Sequence, residues 1–92
     1  MYDVDFASVE LVDMPKYRNL HLNTKYRFCV RDAANQSFAI LLNNTWFMKD
    51  KWQKSGDQYW IDIAPNECGK LVFMVKGKNG SYYHMVEYKV VR

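Results

Sequence analysis

Apolar and polar residues alternate one by one along several stretches of this chain. In residues 25–32, "KYRFCVRD", two arginines and a cysteine share one phase, and the other phase holds Tyr26, Phe28 and Val30. Because successive side chains of a β-strand point to opposite faces, this alternation predicts a strand with one buried face. No stretch has a convincing 3.6-residue period, so the chain is predicted to be all-β.

Turn residues divide the chain into about seven predicted strands. They cover residues 3–14, 25–32, 37–44, 46–48, 58–65, 71–75 and 82–91. The first changes its apolar phase between Phe6 and Val9, which predicts a bulge or a switch of sheet there. Residues 16–24 are predicted to be a polar connection. Asn79-Gly80 predicts a tight hairpin between the last two strands, because both turn positions need a positive φ.

Short strands separated by turns predict an antiparallel immunoglobulin-like β-sandwich of about seven strands. With 92 residues, the chain is expected to form a single domain, residues 1–92. The start, "MYDV", looks like an initiator methionine placed before a domain boundary, so we expect a domain excised from a larger protein. The alternation predicts a core made of Phe6, Tyr26, Phe28, Val30, Ile40, Tyr59, Ile61, Ile63, Leu71, Phe73 and Val75.

The formal charge of +3, from 13 basic and 10 acidic residues, is mild. The basic residues are scattered, and aspartates interrupt the groove that Arg27, Arg31 and the lysines of residues 49–54 could form, so no nucleic-acid partner is predicted. No window reaches 18 consecutive apolar residues, and no membrane span is predicted. The sequence does not identify a compartment. A signal peptide on the parent protein would favour an extracellular or cell-surface location.

Residues that could perform catalysis are few and poorly spaced. Cys29, Cys68, His21 and His84 lack the short paired spacing of structural zinc ligands. A Cys29–His84 nucleophilic site with an aspartate is conceivable, but an ordinary strand position explains His84 better. We therefore predict a non-enzyme with no metal and no cofactor.

The two cysteines and three glycosylation sequons give weaker signals. Cys29 shares the phase of two arginines and Cys68 lies in a predicted turn, so two free thiols are favoured over an inter-sheet disulfide. The sequons begin at Asn35, Asn43 and Asn79, in predicted turns. Turns are rich in such residues in any case, so the sequons alone do not indicate glycosylation.

Four aromatic residues are the candidate ligand-binding residues: Trp46, Trp52, Trp60 and Tyr83. Trp60 is out of phase with the apolar face of its strand, and lysines and a glutamine surround Trp52. Tyr83 follows Tyr82, so one of these two rings is expected to be exposed. An exposed ring can stack on the apolar face of a sugar. The competing interpretation is that the tryptophans cap the core or cover the outside of a sheet, and stacking on nucleic-acid bases is a third use.

The chain from about residue 20 to residue 91 resembles a known family. A "Y-x-F-x-V" strand, a "G-D-x-Y-x-I-x-I-x-P" strand, a "G-x-L-x-F-x-V" strand and a Tyr-rich last strand follow one another. This order resembles the immunoglobulin-like domains found beside transglutaminase-like (kyphoscoliosis-type) peptidase domains. The resemblance implies a non-catalytic spacer or a partner-binding module, and it assigns no functional residue.

The middle of the chain also looks like the sandwich of starch- and glycogen-binding modules. The matching residues are Trp46, Met48, Gly56, Asp57 and Trp60, whereas the usual lead-in to the first tryptophan is replaced by "LNNTW". The first hypothesis is therefore an accessory module that binds a protein partner or neighbouring domain, or acts as a spacer. The alternative is a carbohydrate-binding module for a polysaccharide, which predicts Trp52 and Trp60 on one surface.

Overall fold

The computed structural model describes residues 9–33, 35–77 and 80–92. Within these residues the chain forms nine β-strands in two sheets that pack face to face, so the predicted all-β sandwich is confirmed. A 3-10 turn, Lys49–Lys51, connects β5 to β6. In chain order, the strands are β1 Val9–Asp13, β2 Asn19–His21, β3 Tyr26–Asp32, β4 Phe38–Leu42, β5 Thr45–Met48, β6 Gln53–Ser55, β7 Gln58–Ile63, β8 Gly69–Lys76 and β9 Tyr82–Val91.

The two sheets contain four and five strands. The four-stranded sheet has the order β1-β3-β7-β6, and the five-stranded sheet has the order β2-β9-β8-β4-β5. The pairs are antiparallel except β2 and β9, which run parallel. The first sheet therefore corresponds to strands A-B-E-D of an immunoglobulin sandwich, and β9-β8-β4-β5 corresponds to strands G-F-C and an added C′.

The core lies between the sheets, and it is built by the alternation seen in the sequence. Eight of the predicted core residues are buried: Phe28, Val30, Ile40, Tyr59, Ile63, Leu71, Phe73 and Val75. Tyr26 and Ile61 point inward but are only partly buried at the margin of the cluster. Phe6 lies outside the described residues, and its place in the core stays a prediction.

Two short strands, β2 and β6, lie where the sequence predicted connections. Residues 19–21 pair with β9 because Leu20, between two polar neighbours, is fully buried in the core. The chain thus changes sheet between β1 and β2, around Pro15. β1 contains a bulge between Leu11 and Asp13, whereas the phase change predicted before Val9 involves residues that are not described.

The last two strands form the predicted hairpin. β9 spans Tyr82–Val91 as predicted and pairs with β8 along its length, with one extra residue, Met85, between the partners of Phe73 and Met74. At the turn, Gly80 has a φ of 87° and donates its backbone N–H to the Gly77 carbonyl at 3.0 Å. Asn79 lies outside the described residues.

Helical structure contributes little to the part of the chain that is described. No helix in these ranges has the length and apolar character needed to cross a membrane.

Candidate functional site

Trp52 is in the core, so the surface position considered for it is wrong. The side chain is 6% exposed and packs edge-on against Phe38, with ring centroids 4.9 Å apart. Its indole Nε1–H donates to the Phe47 carbonyl at 3.1 Å. The 3-10 turn before it, Lys49–Lys51, leads from β5 of the five-stranded sheet to β6 of the four-stranded sheet, and Trp52 lies in the core at this crossing.

Trp60 lies on the outer face of the four-stranded sheet. It points away from the core, opposite Cys29 on β3 and Gln53 on β6, and it is half-buried. Because Trp52 is between the sheets, the two tryptophans do not share a surface, and the prediction that they form one sugar site is wrong.

The surroundings of Trp60 are charged. Arg27 donates two hydrogen bonds to Asp62, from Nε at 2.8 Å and from Nη2 at 2.9 Å. These bonds lower the pKa of the Asp62 carboxyl and raise that of the guanidinium. The Arg27 side chain is 56% exposed and that of Asp62 is 30% exposed, and the two are already paired with each other. This face therefore presents one aromatic ring beside polar groups whose hydrogen bonds are already made.

The two adjacent tyrosines of β9 point to opposite faces, as expected. Tyr83 packs against the core cluster and is half-buried. Its neighbour Tyr82 points outward from the five-stranded sheet, because it pairs with Lys76, which alternates with the buried Val75. The sequence could not say which of the two rings was outside, and the predicted candidate was the inner one.

Trp46 lies on the outer face of the five-stranded sheet and is 44% exposed. Its ring meets that of Tyr82 with centroids 5.6 Å apart and planes inclined by 44°. Trp46 is on β5 and Tyr82 is on β9, with β4 and β8 between them. Three strand spacings separate their backbones by about 14 Å across the sheet, and their rows are also four residues apart along β8, so both side chains must reach towards each other over β4 and β8. We call these two rings the aromatic platform.

Small and medium apolar side chains lie beneath the aromatic platform. Ala39, Val72 and Met74 point outward from β4 and β8, yet they are at most 4% exposed. The two rings project from the same face of the sheet as these side chains, and Trp46 keeps 44% of its surface exposed. Trp46 thus covers the outside of a sheet, as one sequence interpretation expected, and still offers a ring face.

The margin of the aromatic platform combines apolar and polar groups. Met48, 37% exposed, and the half-buried Leu41 extend it along β5 and β4. Lys76 places its Nζ 6.0 Å from the centre of the Tyr82 ring. His84 and Glu87 are exposed and point outward from β9. The margin therefore offers donors and acceptors beside two ring faces.

The other candidate chemistry is not brought together. Cys29 faces outward from the four-stranded sheet and His84 faces outward from the five-stranded sheet, so the Cys29–His84 arrangement considered from the sequence is wrong. Burial raises the pKa of the Cys29 thiol, which favours its protonated form over the nucleophilic thiolate. Cys29 and Cys68 are free. Across the described ranges, no three of His, Cys, Asp and Glu cluster as metal ligands would.

Two of the three sequon asparagines can be described. Asn35 is exposed, and its Oδ1 accepts a hydrogen bond from Lys49 at 2.9 Å. The Asn43 amide is engaged at both ends: Oδ1 accepts from the Lys70 backbone N–H at 3.1 Å, and Nδ2 donates to the Cys68 carbonyl at 3.4 Å. Asn43 therefore has a structural role in joining the β4–β5 turn to β8.

Comparisons with known proteins give no family. No protein family and no curated protein matches the sequence. Among solved structures, the chain is similar to SGBP-B of the mixed-linkage glucan utilization locus of Bacteroides ovatus, solved in complex with a mixed-linkage heptasaccharide. The identity is 15% and the TM-score is 0.46, over 90% of this chain. The chain spans 22% of the length of that protein chain.

Proposed function

We propose that this protein is a non-catalytic glycan-binding module and that the aromatic platform of Trp46 and Tyr82 is its binding surface. The observation that carries the proposal is the meeting of these two rings on the outer face of the five-stranded sheet. One side of a pyranose ring presents C–H groups and stacks on a flat aromatic face, while its hydroxyl groups point sideways. Two neighbouring rings with donors at their margin suit such a ligand.

The extent of the exposed apolar surface supports a sugar over a protein partner. A stable protein interface buries about 800 Å² on each partner. On this face, the described large apolar side chains that count as exposed are Trp46 and Met48, because Ala39, Val72 and Met74 are already covered. Two exposed large apolar side chains are few for a stable protein interface, and a small ligand such as an oligosaccharide needs fewer.

The polar groups at the margin suit the hydroxyl groups of a sugar. Lys76 carries three N–H donors, Glu87 is an acceptor, and His84 can act as either. All three are exposed and project from the same face as Tyr82. A ligand stacked on the platform would therefore find partners for its hydroxyls without a change in the fold.

The proposal is tested by titrating neutral oligosaccharides, with maltoheptaose, cellohexaose and xylohexaose as probes, while following the three indole N–H signals by NMR. We expect the Trp46 signal to move. The Trp52 signal is an internal reference because its N–H is bonded inside the core, and the Trp60 signal is a reference for the opposite face. Trp46→Ala should weaken binding about tenfold, which corresponds to a loss of about 1.4 kcal/mol of stacking.

Tyr17→Ala is the matched control, because Tyr17 is 80% exposed and lies outside the platform. A preserved NMR spectrum of each variant would show that its fold is intact. If no indole signal moves at millimolar concentrations of any probe, or if Tyr17→Ala weakens binding as much as Trp46→Ala, the glycan proposal fails.

A protein partner or a neighbouring domain is the second candidate. Met48 and Leu41 extend the platform along β5 and β4, and methionine and aromatic residues are enriched at protein interfaces. This candidate predicts that sugars leave all indole signals unchanged and that Met48→Glu abolishes association with the partner. A purely structural spacer predicts that Trp46→Ala and Met48→Glu both leave every association unchanged.

A further inference from the structure

A basic hollow lies on the same face of the sheet as the aromatic platform. It is next to Val72 and Glu87, which lie in the same cross-strand row as Trp46. We propose that this hollow, between Lys70 and Lys89, is a subsite for an anionic group on the glycan, a carboxylate or a sulfate. This inference rests on the proposed function. It specifies the class of ligand as an acidic glycan.

The register places the two lysines side by side. Lys70 of β8 pairs directly with Lys89 of β9, and both project from the outer face of the five-stranded sheet. Val72 and Glu87 are each two residues further along the same strands, in the row that continues through Leu41 to Trp46. The hollow has a volume of about 380 Å³ and is lined by Asn43, Gly69, Lys70, Glu87, Tyr88 and Lys89.

The positive charge of the hollow is poorly balanced within the protein. Like charges directly opposite each other on antiparallel strands are destabilising. Glu87 approaches Lys70 only to 3.9 Å, and both side chains are more than half exposed, so this pair contributes little. Among the described residues, Lys89 forms no ion pair. An anion bound between the lysines would relieve their repulsion.

The floor of the hollow is held in a fixed shape. Asn43 accepts a hydrogen bond from the backbone N–H of Lys70 and donates one to the Cys68 carbonyl. Gly69 has a φ of 147°, and a Cβ there would lie 1.9 Å from Asn43 Oδ1. A glycine is thus required for Asn43 to reach β8. Because the two hydrogen bonds of Asn43 fix the backbone at Lys70, part of the site is already formed before a ligand binds.

The distribution of charge between the two outer faces favours the same conclusion. The strands of the five-stranded sheet present Lys70, Lys76 and Lys89 against one carboxylate, Glu87. On the outer face of the four-stranded sheet, Arg27 and Arg31 stand against three carboxylates, Glu10, Asp13 and Asp62; Lys54 of β6 shares the inward phase of Tyr59. The face that carries the aromatic platform is therefore the more positive of the two, and it attracts an anionic ligand more strongly.

The test compares three ligands that share the same sugar chain: maltoheptaose, its 6-carboxyl derivative and its sulfated derivative. Each is titrated at low salt. We expect at least one anionic form to bind about threefold to fivefold tighter than the neutral form, as suits one or two exposed ion pairs. The preference should shrink at high salt because screening weakens the pairs. A stronger gain for the carboxylated or the sulfated form would identify which group the hollow takes.

Lys89→Gln should remove the preference for the anionic form while leaving the affinity for neutral maltoheptaose unchanged. Lys25→Gln is the matched control, because it removes one exposed positive charge from outside the hollow. If the neutral and anionic forms bind equally well to the parent protein, the subsite is wrong and the glycan proposal stands. If Lys25→Gln removes the preference as fully as Lys89→Gln, net charge explains it and the subsite is wrong. If none of the three ligands binds, both proposals fail for this backbone series.

Discussion

Asp32 is the buried charged residue among those described, and it has a well-defined partner. Its carboxylate accepts a hydrogen bond from Lys49 Nζ at 2.6 Å and one from the Gln36 backbone N–H at 2.7 Å. Lys49 Nζ also lies 4.9 Å from the centre of the Tyr59 ring. The ammonium group therefore has a carboxylate on one side and an aromatic face on another, and it ties the segment after β5 to the core.

Removing Asp32 would leave the Lys49 charge without its partner in a position where the lysine side chain is 19% exposed. We expect Asp32→Ala to lower the free energy of unfolding by about 3 kcal/mol, as for one half of a buried ion pair. Urea denaturation measures this loss. The double variant Asp32→Ala/Lys49→Met should lose less than Asp32→Ala alone, because no unpaired charge remains. Equal losses would show that the pair is not coupled.

The residue scale is where the sequence predicted least. Trp52 stands among lysines and a glutamine, which made it look exposed, but the indole can enter the core because its N–H finds the Phe47 carbonyl. Trp46 and Tyr82 meet over β4 and β8 because the fold places their strands in one sheet. The order of strands in a sheet is set by contacts between distant parts of the chain, so their meeting could not be predicted from a single sequence.

At the scale of strands, two facing residues of β3 and β7 show how the degree of burial determines the stability lost on substitution. Phe28 and Ile61 are register partners, and both point inward. Phe28 is fully buried and packs edge-on against Tyr88, with centroids 5.9 Å apart, whereas Ile61 is partly buried. Alternation alone predicts that both side chains are buried to the same extent, whereas the structure buries Phe28 more completely than Ile61.

We expect Phe28→Ala to cost about 3–5 kcal/mol of unfolding free energy, as for a phenylalanine removed from a packed core. Ile61→Ala should cost roughly 1–2 kcal/mol, since part of its surface is already in water. Urea or thermal unfolding of the two variants gives the comparison. Equal losses would mean that Ile61 is packed as tightly as Phe28.

The strands with clean alternation were predicted well, and the two three-residue strands, β2 and β6, were missed. β3 and β7 lie where period-two patterns placed them, and the hairpin of β8 and β9 lies where its turn residues placed it. β2 was missed because three residues cannot show a period and two of the three are polar. Its pairing depends on the burial of Leu20 and on contact with residues of β9 that lie seventy positions later, and neither is visible locally.

At the scale of the whole molecule, we expect the free energy of unfolding to change at alkaline pH because the Tyr88 phenol is buried. Burial raises the pKa of Tyr88 above its usual 10.0, and the phenol donates a hydrogen bond to the Pro15 carbonyl at 2.9 Å. A raised pKa means that the folded state favours the protonated form. The contribution is fully present below the unfolded pKa and is lost as the pH rises beyond it.

We therefore expect the free energy of unfolding to fall as the pH rises above about 10, and to fall less steeply in Tyr88→Phe. At neutral pH this variant should lose about 1 kcal/mol with its hydrogen bond to Pro15. Urea denaturation between pH 7 and 11 measures both effects. Tyr17→Phe, at an exposed phenol, is the control and should follow the parent protein. Parallel curves for Tyr88→Phe and the parent would exclude Tyr88 as the cause.

The parallel pairing of β2 with β9 has a mechanical consequence. The strand that follows β1 and the strand nearest the C-terminus lie side by side and run in the same direction. Tension applied to the chain before β2 and after β9 pulls these strands along their length in opposite senses. The load then falls on all the bonds between them at once, including Leu22 N–H to the Val91 carbonyl at 2.9 Å and Lys89 N–H to the Arg18 carbonyl at 2.7 Å. The hydrogen bonds between β2 and β9 are therefore loaded in shear and must break together, whereas strands pulled apart from one end lose their bonds one at a time.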